Sequence, residues 1–221
     1  MIDYSLYLVT DSDCIAGRKL NDCVEAALKG GVTLVQHRAK NAEGRAMYTE
    51  ALELKQLCDR YKVPLIINDR VDVALAVGAA GVHVGQDDLP CKVVRELVKD
   101  VPGFIVGVSC HNPQEALQAL ADGADYLGCG AVFGSSTKNN VNTLGLQNLE
   151  AIHQALVEAA GGGQALPMVG IGGINAGNYA SVLATGADGA AIVSGILAVA
   201  DIEEQVKLFV DIRDKQTEAA K

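Results

Sequence analysis

Apolar residues along this chain gather in two alternating kinds of run. Short β-rich stretches stand at "SLYLVT" (5–10), "TLVQHR" (33–38), "PLIIND" (64–69), "GVHVG" (81–85), "FIVGVSC" (104–110), "YLGCG" (126–130), "PMVGIGG" (167–173) and "GAAIVSG" (189–195). Between them lie longer segments such as "MYTEALELKQLCDRY" and "NPQEALQALADG". Their apolar positions recur at three and four residues, the spacing of one buried helix face. Strands that alternate with helices pair in parallel through right-handed crossovers. Eight such units in 221 residues predict an α/β protein, one closed (β/α)8 barrel of the TIM type over residues 1–221. An open doubly wound sheet is the competing arrangement. Against it, the first strand runs into "LYLVTDSDC", where a dinucleotide fold wants G-x-G-x-x-G. No linker or low-complexity segment marks a second domain.

The second strand carries an anomaly. In "VQHRAK", alternation puts Gln36, Arg38 and Lys40 on one face and Val35, His37 and Ala39 on the other. Two cations and an amide then run toward the C-terminal end of a buried strand. In a barrel that end is the mouth, where the loops converge and active sites form. The competing reading leaves Lys40 in solvent and Arg38 paired with a core carboxylate.

Composition restricts what those cations serve. With 49% hydrophobic and 20% charged residues the chain is globular, and its net charge of -9 excludes the broad positive field that nucleic acid or an anionic membrane needs. The convergence of cations is therefore a local device. No basic region followed by an apolar run opens the chain and no apolar stretch reaches a membrane span, so a cytoplasmic protein is expected. Six cysteines without C-x-x-C pairs or zinc spacing read as reduced thiols. Cys129 reads as a small core residue, whereas Cys110 and His111 adjoin a strand end that a cleft could use.

Other strand ends supply partners for the cations. "IINDR" brings Asn68 and Asp69, and "GQDDLP" brings Asp87 and Asp88. Neighbouring strands lie about 4.8 Å apart, so Asp69 and one of the second pair can approach a common point. Oxygen ligands without a His or Cys cluster suit Mg²⁺, which binds one or two carboxylates together with substrate phosphates. Helix N-caps are the ordinary alternative for such aspartates. The adjacent glycines of "VGIGGINAGN" and Ser194 of "IVSGILAVA" follow the seventh and eighth strands, where such barrels often hold phosphate. After the sixth strand, "FGSSTKNNVNTLGL" is long and polar, which marks either a lid or a slack surface insertion; as a lid, its Ser135, Thr137 and Lys138 suit phosphate oxygens.

The ordered set "LYLVTD", "VQ-x-R-x-K", "IINDRVDVAL", "GVHVGQDDLP", "GVSCHN", "ADYLGCGAVF", "STK", "GIGGI" and "AIVSG" resembles the thiamine-phosphate synthase family over nearly the whole chain. The resemblance implies a barrel that joins hydroxymethylpyrimidine diphosphate to hydroxyethylthiazole phosphate and releases pyrophosphate with Mg²⁺. Carried over by position, Gln36, Arg38, Lys40, Asn68 and Lys138 would hold the pyrimidine diphosphate, with Ser109 near the pyrimidine. Asp69 and Asp88 would bind the metal, and Ser135, Thr137, Gly173, Val193 and Ser194 would receive the thiazole phosphate. Arg38, Lys40, Lys138 and the metal would offset charge on the departing diphosphate while the thiazole nitrogen attacks. Its partners would be these small molecules, with the oligomeric state left open. The chain departs from the family pattern V-F-P-T-x-T-K at Gly134 and Ser135, and carries His37 where leucine is common. A thiazole tautomerase of the same barrel family, and a catalytically silent barrel that binds thiamine phosphates, remain as alternatives.

Overall fold

The predicted alternation appears as eight parallel strands closed into a barrel in a computed structural model of the chain, which describes residues 2–134 and 143–219. The strands are β1 (Leu6–Val9), β2 (Leu34–His37), β3 (Leu65–Asn68), β4 (Gly81–Val84), β5 (Ile105–Cys110), β6 (Tyr126–Gly130), β7 (Met168–Ile171) and β8 (Gly189–Ile192). They pair in chain order, and β8 closes on β1 with Tyr7 opposite Ala191. The observed strands are shorter than most of the apolar runs because the last residues of those runs already belong to the loops at the mouth. The helices are α1 (Leu20–Gly30), α2 (Gly44–Tyr61), α3 (Val71–Val77), α4 (Cys91–Leu97), α5 (Pro113–Ala121), α6 (Gly145–Ala160), α7 (Tyr179–Leu183), α8 (Ser194–Leu197) and α9 (Ile202–Ala219).

Parity along each strand divides the apolar residues into two separate cores. Leu6, Leu8, Val35, Leu65, Ile67, Val82, Val106, Leu127 and Ile192 point outward into a shell shared with the helices. Tyr7, Val9, Leu34, Ile66, Tyr126, Val169 and Ala191 point inward and fill the lumen. The shell is a matching of faces. On α2, Met47, Ala51, Leu54 and Cys58 are buried at a spacing of four, three and four residues, which is a single stripe against the strands. Helix α5 begins where "NPQE" predicts it: the Asn112 side chain accepts from Glu115 N, Pro113 occupies the first turn, and Asn112 Nδ2 donates to Glu115 Oε1. All six thiols are free, and Cys110 and Cys129 lie buried in the shell.

Acidic residues at the N-terminal end of the barrel are committed to the backbone. Asp125 accepts from Val106 N at 2.7 Å and also from Arg95, and Asp188 accepts from Met168 N at 2.9 Å. These bonds tie β6 and β8 to their neighbours. The carboxylates free for chemistry stand at the opposite rim.

Candidate active site

The C-terminal rim opens into a pocket of about 280 Å³. Gln36, Arg38, Lys40, Asn68, Asp69, Asp88, Ser109 and Val193 all line it, so eight residues from the ends of β2, β3, β4, β5 and β8 meet at one place. Gly173 and Ser194 stand beside the lining. Gly173 packs against the Phe133–Gly134 backbone, and Ser194 opens α8. The adjacent glycines end β7 but do not start a helix; α7 begins only at Tyr179, so residues 174–178 separate them. Ser135, Thr137 and Lys138 lie outside the described residues, as does most of the expected lid. Its two ends are held together at the rim, where Leu144 N and Gly145 N donate to the carbonyls of Ala131 and Val132.

Backbone conformation explains why Asn68 and Asp69 both face the pocket. Strict alternation would send one of them outward. Asp69 instead adopts φ 63°, its N–H donates to His83 O at 2.8 Å, and Arg70 N returns to Asn68 O at 2.8 Å. This left-handed turn at the strand end swings the second side chain back to the mouth, and aspartate tolerates it better than most residues. Asp88 is oriented by Gly85 N, which donates to its Oδ2 at 2.9 Å. Its neighbour Asp87 is exposed and does not line the pocket.

The charges are interleaved. Lys40 Nζ lies 3.7 Å from Asp69 Oδ2, and Arg38 Nη1 lies 3.5 Å from Asp11 Oδ2, both longer than a tight ion pair. Arg38 thus has a carboxylate partner, but at the rim rather than in the core. Burial raises the Asp69 pKa first, and a hydrogen bond with Asp88 and that residue's charge raise it further, against Lys40 and Arg38. Two carboxylates held this close disfavour joint ionisation, and a bound cation relieves that repulsion. The donor set fits Mg²⁺: two oxygen ligands, room for water and phosphate, and cations alongside. Among the described residues no group of three or more His, Cys, Asp or Glu side chains forms a metal cage.

A second cavity, about 260 Å³, lies between α1 and α2. Asp22, Glu25 and Glu53 dominate its wall and Arg60 already leans on Glu25 at 3.9 Å, so its lining is acidic and disfavours anions.

The profile of the thiamine monophosphate synthase family matches residues 6–196. The chain belongs to that family. It is 49% identical to the thiamine-phosphate synthase of Chloroflexus aurantiacus over 203 residues, 91% of this chain and 89% of the relative. It is 45% identical to that of Clostridium acetobutylicum over 217 residues, 98% of each. Among solved structures, a thiamine phosphate pyrophosphorylase from Pyrococcus furiosus superimposes with a TM-score of 0.85 at 36% identity, covering 97% of this chain and 98% of that one.

In this member of the family several pocket residues are not among those that the sequence singles out. Asp11 follows β1 and faces Arg38, and Tyr7 and His83 are lumen residues beneath the ligand space. Of the pair expected at a cleft, His111 does line the rim, with Nδ1 2.9 Å from Glu115 Oε2, whereas Cys110 is buried in the shell. A signal for His83 was present, since in "GVHVG" a polar residue sits between two outward valines and must point inward. Burial pushes its pKa down to about 4, which leaves the ring neutral.

Proposed function

We propose that this chain condenses 4-amino-2-methyl-5-hydroxymethylpyrimidine diphosphate with hydroxyethylthiazole phosphate to give thiamine phosphate and pyrophosphate, in the cytoplasm and with Mg²⁺. The observation that carries this reading is the convergence of Gln36, Arg38, Lys40, Asn68, Asp69, Asp88 and Ser109 on one pocket in a chain of this family. Asp69 and Asp88 would hold the ion, which when bound supplies positive charge to the diphosphate oxygens. Arg38 and Lys40 stand where a departing diphosphate needs cations, and both are part-exposed with loose carboxylate partners that a phosphate can displace. Gln36 and Asn68 offer amides, and Ser109 a hydroxyl, to the heteroaromatic ring. Lys138, Ser135 and Thr137 are assigned to the phosphates by family resemblance, with Gly173, Val193 and Ser194 around the thiazole phosphate.

The nucleophile is a ring nitrogen with its own lone pair, so the chain's residues need not remove a proton before attack. Their work is to orient two substrates and to stabilise a leaving group. Among the described residues no helix is long and apolar enough to cross a membrane. The test is pyrophosphate release measured with both substrates, with each alone, and with Mg²⁺ chelated. Release that needs all three components is expected. No release, or isomerisation of a thiazole carboxylate phosphate instead, overturns the reading in favour of a binding barrel or a tautomerase.

A further inference from the structure

Five side chains beneath the pocket form an unbroken hydrogen-bonded line across the lumen, from β2 to β5. Gln36 Nε2 donates to Tyr7 Oη at 2.7 Å, and Tyr7 Oη lies 2.8 Å from Tyr126 Oη. Tyr126 Oη is 3.0 Å from His83 Nδ1, and His83 Nε2 is 3.0 Å from Ser109 Oγ. The inner members, Tyr7 and Tyr126, are essentially sealed from solvent, at 1% and 0% exposure.

Such a line has a direction. A phenol has one hydrogen, so a phenol that accepts from one neighbour gives its hydrogen to the next. With the Gln36 amide donating, Tyr7 donates to Tyr126 and Tyr126 donates to His83 Nδ1. That nitrogen is then the unprotonated one, and the imidazole hydrogen sits on Nε2, donating to Ser109 Oγ. The serine hydroxyl has accepted a bond from below and keeps its own hydrogen for the pocket above. Reversing the line would reverse both ends: Ser109 would spend its hydrogen on His83 and face the ligand as an acceptor.

The wall of the barrel is cut to seat this histidine. A Cβ on Gly107 would lie 2.5 Å from His83 Nδ1 and 2.2 Å from Tyr126 Cζ, and one on Gly128 would lie 3.0 Å from His83 Cε1. Neither glycine has a positive φ. Their lack of a side chain is therefore explained by the ring that occupies the space, independently of the hydrogen bonds.

We propose that His83 is a positioning residue: held as the Nε2–H tautomer by the Tyr126–Tyr7–Gln36 line, it fixes Ser109 as a hydrogen-bond donor to an acceptor nitrogen of the substrate's heteroaromatic ring. The role of Ser109 toward substrate rests on the proposed function; the tautomer does not. Selectivity follows, because a ring presenting a C–H or N–H at that point leaves the Ser109 hydrogen without an acceptor.

The tautomer is read directly on the wild-type protein by two-bond ¹H–¹⁵N correlation after ¹⁵N-histidine labelling. His83 is assigned as the signal missing from His83→Gln among the four histidines. A protonated Nε2 with an unprotonated Nδ1 is expected, and Tyr126→Phe, which removes the donor to Nδ1, is expected to populate both tautomers. In kinetics Tyr126→Phe should raise KM for the pyrimidine diphosphate about tenfold, the size of one oriented hydrogen bond. KM for the thiazole phosphate should stay within about twofold, whereas a general loss of structure would move both. An Nδ1–H tautomer in the wild type, or a KM increase shared equally by both substrates, overturns the proposal. Failure of the function reading shows separately, as absent pyrophosphate release by the unmodified protein.

Discussion

Gln36 and His37 are neighbours on one strand, both buried, and the barrel treats them oppositely. Gln36 points into the lumen, where its amide enters a continuous polar line. His37 points into the shell between β2 and α2, at 0% exposure, and neither ring nitrogen has a hydrogen-bond partner. Glu50 Oε2 stands 3.4 Å from its Nε2, but burial pushes the His37 pKa down to about 4 and also raises that of Glu50. The two groups therefore do not form an ion pair near neutral pH. Polar groups in the lumen and at the mouth have partners on neighbouring strands; the shell is a packing surface, and a polar group there is a cost. Substitutions in the two regions should separate activity from stability.

The largest effect is expected at the mouth. Asp69→Asn keeps a residue that tolerates a positive φ while removing the charge, and should lower turnover about a thousandfold, the upper range for losing a key electrostatic group. Thermal stability should hold or rise, because burial and Asp88 already disfavour the ionised carboxyl. A matching loss of stability would move Asp69 from the chemical region to the structural one. Next comes the shell: Leu54→Ala, on the buried stripe of α2, should cost about 2–5 kcal/mol in denaturant unfolding while kcat of the folded enzyme stays unchanged.

Arg38→Met retains most of the stem and removes the guanidinium, and a loss of about a hundredfold in kcat/KM for the pyrimidine diphosphate is expected. Calorimetry should show a smaller change for the thiazole phosphate; equal losses would make Arg38 structural.

The smallest effect sharpens the contrast most. His37→Leu should stabilise the protein by about 1–2 kcal/mol at neutral pH, since two unsatisfied buried nitrogens are removed and the part-exposed Glu50 turns to water. The pH dependence has a definite sign. The unfolded imidazole takes its proton near pH 6.5 and the folded one only near 4, so stability is complete above about 6.5 and falls as pH drops toward 4. Over that range His37 contributes a loss of about 3 kcal/mol. The variant should lose that part of the acid limb and keep its activity at pH 7. An unchanged acid limb would show that His37 finds a partner on protonation.

Much of this architecture is legible in one dimension. Eight apolar runs separated by helical spacing predict the parallel barrel, because period two and period 3.6 are local properties of the backbone and right-handed crossovers leave few ways to connect them. The parity of "VQHRAK" alone places Gln36 inside and His37 outside. The acids of "IND" and "GQDD" also reach the mouth, since a strand end in this fold has one place to go. Three-dimensional structure decided the rest. Whether Asp87 or Asp88 joins Asp69 depends on a bond from Gly85 N, and that Asn68 and Asp69 share a face depends on one left-handed residue. Asp11 meets Arg38 through the register of the β1–β2 pair, and Tyr7 meets Tyr126, 119 residues away, only once β8 has closed on β1. No local pattern announces such pairs: each residue's own sequence neighbours already account for it as an ordinary strand or turn residue, and its partner is chosen by three-dimensional register.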